Sequence, residues 1–151
     1  MNEYMKLALE KAREGMNSGV GGPFGAAVVK DGEVLAVACN EVLKSHDPTS
    51  HAEINAIRQA SRRLGTHDLS GCELYATGYP CPMCLSAIIW ANIKSCYFAL
   101  DTDEAERIGF RDEPIYRHIR GEQELLSLTR MDHDECRALY AEYAEKDGVI
   151  Y

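Results

Sequence analysis

The chain has 151 residues, 46% hydrophobic and 26% charged, enough for one core without disulfide or metal staples. No apolar run nears the about 18 residues of a membrane span and no secretory h-region follows Met1, so a soluble, cytoplasmic protein with no membrane partner is expected. Sixteen basic against twenty-four acidic side chains give a net charge of −8, the wrong sign for a surface that holds phosphate backbones, so nucleic acid is not the first expectation.

From Asn2 to Asn17, apolar residues recur at Tyr4, Met5, Ala8, Leu9 and Ala12, one face of a helix that stops at the Gly19, Gly21, Gly22, Pro23 cluster. Phe24 to Lys30 and Glu33 to Asn40 read as strands joined by Asp31-Gly32, a hairpin signal because both turn positions need positive φ. Asp47-Pro48-Thr49-Ser50, rich in capping residues, opens a second helix that runs through Ile54, Ile57 and Ala60 to Leu64. Cys72 to Thr77 is an apolar strand, Pro82 begins a third helix with Leu85, Ile88 and Ile89 on one side, and Ser95 to Leu100 is another strand. A strand, helix and strand in that order form a crossover, so these two strands are expected parallel. Beyond Asp101 come a short acidic helix to Arg107, an irregular piece from Gly109 to Ile119, a strand at Leu125–Thr129 and a last helix from Asp132 to Glu145. No repeat or linker divides the chain, and a single α/β domain over residues 1–151 is expected.

Excess acid concentrates late: residues 1–100 carry nine Lys/Arg and ten Asp/Glu, while residues 101–151 carry seven and fourteen. Of the six cysteines, only Cys81 and Cys84 have diagnostic spacing. Cys39, Cys72, Cys96 and Cys136 lie in apolar or amphipathic stretches and read as small buried hydrophobes. His46 and His67 are not at ligand spacing and read as surface histidines.

The residues that bear chemistry are His51-Ala52-Glu53, early in the second helix, and Pro80-Cys81-Pro82-Met83-Cys84, early in the third. Zinc favours thiolate and imidazole ligands, and a catalytic site keeps three protein ligands with a fourth position open. His51, Cys81 and Cys84 supply that count, and a helix N-terminus lowers thiol pKa values. Glu53 lies two residues from His51, about 200° around a regular helix, so the two share a site only at a helix end. There Glu53 reaches a water at the open position without being a ligand, which is the placement of a proton shuttle. A closed structural zinc site would need a fourth Cys or His, and neither Cys96 nor Cys136 stands at matching spacing.

His51-x-Glu53 followed by Pro80-Cys81-x-x-Cys84 resembles the signature of the zinc nucleobase deaminases. The segments Gly21-Gly22-Pro23-Phe24-Gly25-Ala26, Asp47-Pro48-Thr49-Ser50, Gly109-Phe110-Arg111-Asp112 and the terminal Tyr151 resemble the small bacterial guanine deaminases within that family. The resemblance implies a three-layer α/β/α cytidine deaminase-like fold with a five-stranded mixed sheet, a bound Zn2+ and a homodimer. It also implies site roles: Glu53 is catalytic, Asn40 touches the purine, the Ala52 N–H meets a substrate carbonyl, Phe24 and Trp90 give apolar or stacking surface, and Asp112 faces the substrate's polar edge. The bland alternatives are a strand-end turn former for Asn40, a core residue for Trp90 and a solvated loop acid for Asp112. In the guanine deaminases the C-terminal segment crosses to the partner and its last tyrosine closes that active site, so residues 146–151, ending in Gly148-Val149-Ile150-Tyr151, are expected to be a swapped lid.

One position departs from the pattern. The family usually has glutamate before the proline of the cysteine motif, and this chain has Tyr79, preceded by Gly78. The zinc ligands are untouched, but the choice of ring is opened. The leading expectation is hydrolysis of a free aminated nucleobase, guanine to xanthine and ammonia. Alternatives are a cytosine, other pyrimidine or triazine deaminase, a transfer-RNA adenosine deaminase, against which the acidic last third argues, and a non-catalytic zinc-stabilised domain, which has no use for Glu53.

Overall fold

Asn2 caps the first helix: its Oδ1 accepts the N–H groups of Tyr4 and Met5 at 2.9 and 3.0 Å, satisfying two donors that have no partner inside the helix. In the computed structural model, which describes Met1–Tyr151, this helix is α1 (Glu3–Asn17), burying Ala8, Ala12 and Gly15. Strands β1 (Gly25–Lys30) and β2 (Glu33–Cys39) follow and pair antiparallel. Their turn has Asp31 at φ 49° and Gly32 at φ 80°, as the Asp-Gly pair requires. The register shifts between Val28 and Val29. A Cβ at Gly25 would collide with the carbonyl oxygen of Ala8, so α1 lies against β1 at a separation only glycine permits.

After α2 (Val42–Ser45) and α3 (Ala52–Leu64) comes β3 (Cys72–Gly78), then α4 (Pro82–Trp90) and β4 (Ser95–Leu100). β3 pairs antiparallel with β1 and parallel with β4, as a helical crossover demands. Alternation along β1 divides the core. Ala27 and Val29 join Ala8 and Tyr75 under α1. Ala26 and Val28 join Leu74, Ala76, the Ala52, Ala56, Ala60 stripe of α3 and Ile88 of α4 on the opposite face. This is an α/β fold of the expected layering, with helices on both sides of a mixed sheet.

The sheet has four strands in the order β2-β1-β3-β4, which corrects the expected five. Leu125–Thr129 is not a strand: its residues are exposed and form no ladder, and an extended segment becomes a strand only when its N–H and C=O groups find a neighbour. β4 is therefore an edge, with Tyr97, Phe98 and Leu100 exposed. No helix is long and apolar enough to cross a membrane.

The chain divides into two compact units, Met1–Glu113 and Pro114–Tyr151. The first ends with α5 (Thr102–Arg107), whose N-cap Asp101 and Glu104 form a reciprocal capping box. Gly109–Ile119, expected irregular, is helical from Glu113 onward: α6 (Glu113–Ile119) carries Pro114 in its first turn, where a missing N–H costs nothing. The second unit carries α7 (His133–Glu145) and a tail in which the Tyr143 hydroxyl donates to the Val149 carbonyl at 2.6 Å. Cys39 and Cys72 are buried as expected, Cys96 only partly so, and Cys136 is exposed on α7, which corrects its reading as a core residue.

Candidate active site

The second helix starts later than its capping run suggests. The Asp47 carboxylate accepts the N–H and hydroxyl of Thr49 at 2.8 and 2.7 Å, holding residues 47–50 in a turn. His51 then becomes the N-cap of α3, with extended φ −72° and ψ 157°. Cys81 is likewise the N-cap of α4, at φ −62° and ψ 167°, followed by Pro82. Neither His51 nor Cys81 makes a side-chain capping hydrogen bond, and both ligand atoms sit at a helix end. The start of α3 is tied to the end of β2 by the Asn55 amide, which donates to the Cys39 carbonyl at 3.0 Å.

His51 Nδ1 lies 3.6 Å from Cys81 Sγ and 3.5 Å from Cys84 Sγ, and all three ligand atoms fall within 4.8 Å of one another. Tetrahedral zinc, with bonds of about 2.3 Å to sulfur and about 2.0 Å to nitrogen, places those atoms about 3.6 Å apart. The donor set therefore fits zinc in chemistry and spacing, with one position left for a non-protein ligand. The charges are mutually supporting. The Cys84 thiol and the His51 ring hydrogen-bond to Cys81 and hold its thiol well below the usual range, whereas giving that hydrogen bond and being buried raise Cys84. The Cys81 partner raises the affinity of His51 for a proton.

Glu53 is buried, and the Cys84 thiol donates to its Oε2 at 3.5 Å. Burial, reinforced by the negative charge at Cys81, raises this carboxyl above its ordinary range. Asp112 is raised for the same reasons in the same order. Both acids open on a cleft whose walls include Phe24, Asn40, Tyr79 and Phe110 around His51 and Cys81. Phe24 and Phe110 meet edge to face, with ring centroids 4.9 Å apart.

Asn40 is held in one orientation. Its Oδ1 accepts the N–H groups of Gly22 and Val42 at 3.3 and 3.1 Å, and a Cβ at Gly21 would collide with its side-chain and backbone oxygens. With the oxygen turned into the loop, the Nδ2 amide is the group Asn40 offers to the cleft. Ala52, the first residue of α3, is buried beside His51, and its N–H has no acceptor within the helix.

The structure thus gathers His51, Glu53, Cys81, Asn40, Phe24 and Asp112 around one cleft, with Cys84 buried behind it. Trp90 stands at the end of α4, 67% exposed, and does not line the cleft. Tyr151 lies in the second unit, exposed. Phe110 is a wall residue to which the sequence reading gave no role; the available signal was a lone aromatic two positions before Asp112 in a polar stretch.

Comparison with known proteins agrees with this geometry. Residues 1–100 match the family model for the cytidine and deoxycytidylate deaminase zinc-binding region. A guanine deaminase of Bacillus subtilis is 48% identical over 116 residues, covering 77% of this chain and 74% of that protein. A tRNA-specific adenosine deaminase of Aquifex aeolicus is 41% identical over 119 residues, covering 76% and 78%. The X-ray structure of guanine deaminase from Bacillus subtilis superposes with a TM-score of 0.82 at 39% identity, covering 100% of this chain and 98% of that one.

Proposed function

This chain belongs to the cytidine and deoxycytidylate deaminase family, and from that premise we propose that it is a zinc-dependent aminohydrolase converting free guanine and water to xanthine and ammonia. The observation that carries the reading is the single cleft in which the His51, Cys81, Cys84 set and the buried Glu53 face a donor, Asn40 Nδ2, and an acceptor, Asp112. The similarity to guanine deaminases at the level of sequence and of structure supports the choice of ring.

Zinc, when bound, makes water acidic enough to be deprotonated near neutral pH. The chain's own part is proton transfer and positioning. Glu53, buried and with a high affinity for protons, takes a proton from the attacking water and hands it to a ring nitrogen. It then takes the second proton from the added hydroxyl and gives it to the departing amine as the C–N bond breaks, so that the ring keeps the water oxygen as a carbonyl and ammonia leaves. Asn40 Nδ2 donates to a ring acceptor, Asp112 accepts from ring N–H groups, and the free N–H of Ala52 meets the substrate carbonyl. Phe24, braced by Phe110, gives the planar ring an apolar wall.

We further propose that residues 1–151 act as one catalytic domain and that the working form is a homodimer. In it, residues 146–151 of one copy cross over and Tyr151 closes the cleft of the other. The exposed apolar end Val149-Ile150-Tyr151 supports this, since a site that hydrolyses a small base must admit it and then exclude bulk water.

An ammonia-release screen of the zinc-loaded protein over guanine, cytosine, adenine, guanosine, ammeline and an adenosine-containing RNA hairpin tests the reaction. Guanine is expected to give the highest kcat/KM. Turnover of the hairpin with none on guanine would move the assignment to the transfer-RNA enzymes.

A further inference from the structure

The polar groups of the cleft are unequally distributed by type. Glu53 and Asp112 offer oxygens that accept when ionised, Cys81 offers sulfur, and His51 Nδ1 is committed to the thiols. Asn40 Nδ2 is the one side-chain amide donor, and the Ala52 N–H at the start of α3 is a backbone one. An aminated heteroaromatic ring such as a purine presents several acceptors, in its carbonyl and imine nitrogens, and burying one unpaired costs about 1–3 kcal/mol. A ring with three acceptors needs a donor beyond these two, and one wall residue has it.

Tyr79 sits in the loop from β3 to α4, two residues before Cys81, and lines the cleft. Its position is fixed by groups other than its hydroxyl. The backbone N–H donates to the Leu100 carbonyl at 2.8 Å, and the ring meets Phe98 edge to face, centroids 4.9 Å apart and planes at 78°. Three other tyrosines spend their hydroxyls inside the chain: Tyr4 donates to the Gly32 carbonyl, Tyr75 to Glu73 and Tyr143 to the Val149 carbonyl. The Tyr79 hydroxyl has no such partner, and the residue is 38% exposed. Gly78 beside it leaves the neighbouring wall open, because a Cβ there would stand 3.7 Å from the Phe24 ring.

We propose that Tyr79 is the specificity-determining residue of this site, its hydroxyl donating to a further acceptor on the ring while Asn40 Nδ2 and the Ala52 N–H serve two others. The proposal rests on the deaminase reading above and deepens it. The substrate class that follows is a neutral aminated heteroaromatic ring with at least three acceptors and an N–H edge for Asp112. A phenol can donate as well as accept, whereas an ionised carboxylate at the same position only accepts.

The test compares the zinc-loaded full chain with its Tyr79→Phe and Tyr79→Glu variants. Zinc content and melting temperature are controls; the readouts are calorimetric titration with xanthine, which is not turned over, and steady-state kinetics on guanine. Tyr79→Phe keeps the ring against Phe98 and is expected to weaken xanthine binding and raise KM for guanine by about 10- to 100-fold, with kcat much less affected. Tyr79→Glu is expected to do no better. Xanthine affinity and guanine KM within about twofold of the parent in Tyr79→Phe would overturn the proposal while leaving the guanine reading intact. Recovery of parental binding in Tyr79→Glu would also overturn it, because an acceptor would then suffice. So would loss of zinc in Tyr79→Phe, which would make Tyr79 a support for the ligand loop. A parent protein that releases no ammonia from guanine would remove the reading and the proposal together.

Discussion

The first unit, Met1–Glu113, packs its apolar side chains into two clusters on opposite faces of the sheet, whereas no residue of the second, Pro114–Tyr151, is buried. The difference is not one of supply. The second unit holds Leu125, Leu126, Leu128, Leu139, Tyr140 and Ile150, and Leu128, Tyr140 and Ile150 are 82%, 79% and 86% exposed. Apolar periodicity thus serves two purposes in one chain: in α3 it builds a core, and in α7 it presents Leu139, Tyr140 and Tyr143 outward. Contiguous exposed apolar surface of that kind marks a face that meets another molecule, in keeping with the proposed homodimer. The chemistry follows the same division, since every residue of the cleft belongs to the first unit.

The most severe test of that division is removal of the ligands. A Cys81→Ala, Cys84→Ala double variant is expected to purify without zinc, with no detectable turnover and a lowered melting temperature, because a metal held only by the folded chain stabilises that state. Full zinc content by metal analysis would break the assignment. Next comes Glu53→Gln, expected to keep zinc while losing about 10³-fold or more in kcat, the contribution of a positioned acid and base. A loss under about tenfold would show that another group moves the proton. Deleting residues 148–151 sharpens the role of the second unit: zinc content should hold while kcat/KM on guanine drops by about 10²-fold, the scale of lost closure and alignment. Unchanged kinetics would make the tail an ordinary frayed end.

Smaller effects separate the two kinds of apolar residue. Leu74→Ala, at a fully buried position of β3, should cost about 2–5 kcal/mol in denaturant unfolding. Leu139→Ala, 64% exposed, should change stability by less than about 0.5 kcal/mol at concentrations where the protein is monomeric. Equal costs would erase the contrast. The mildest effect concerns alkali. Burial, aided by the hydrogen bond to Glu73, raises Tyr75 from 10.0 to about 12. The neutral phenol therefore adds stability that is complete below pH 10.0 and is lost as pH climbs through about 12. Tyr75→Phe should flatten that part of the pH profile, and an identical alkaline slope in both proteins would refute it.

Much of the first unit was legible because local chemistry and tertiary structure agree there. Asp31-Gly32 encodes its turn, the β3, α4 and β4 run encodes a parallel pair, and the ligand trio carries its own spacing. Where the reading went astray, the deciding interaction was not local. The Asp47 run resembles a cap, yet its carboxylate is spent on Thr49, so the helix begins only after His51. Helix α2, of four residues, is too short for any periodicity to register. Leu125–Thr129 has strand-like composition, but pairing depends on a neighbour that its own sequence does not name. The gathering of His51, Cys81 and Cys84 near Glu53 was readable from motif spacing, while the orientation of Asn40 and the wall formed by Phe110 depend on the fold of the Gly21 to Phe24 loop.

His51 and Cys81 are separated by 30 positions in the chain, and their ligand atoms come within 3.6 Å. A metal joining them closes that stretch of polypeptide into a loop, and with it the first turns of α3 and α4 become ends of a single cross-link. Such a clamp restricts the unfolded ensemble in the way a disulfide does. With zinc bound, those two turns would open and close together, and the amide groups at the heart of the site would exchange with solvent more slowly than in the metal-free chain.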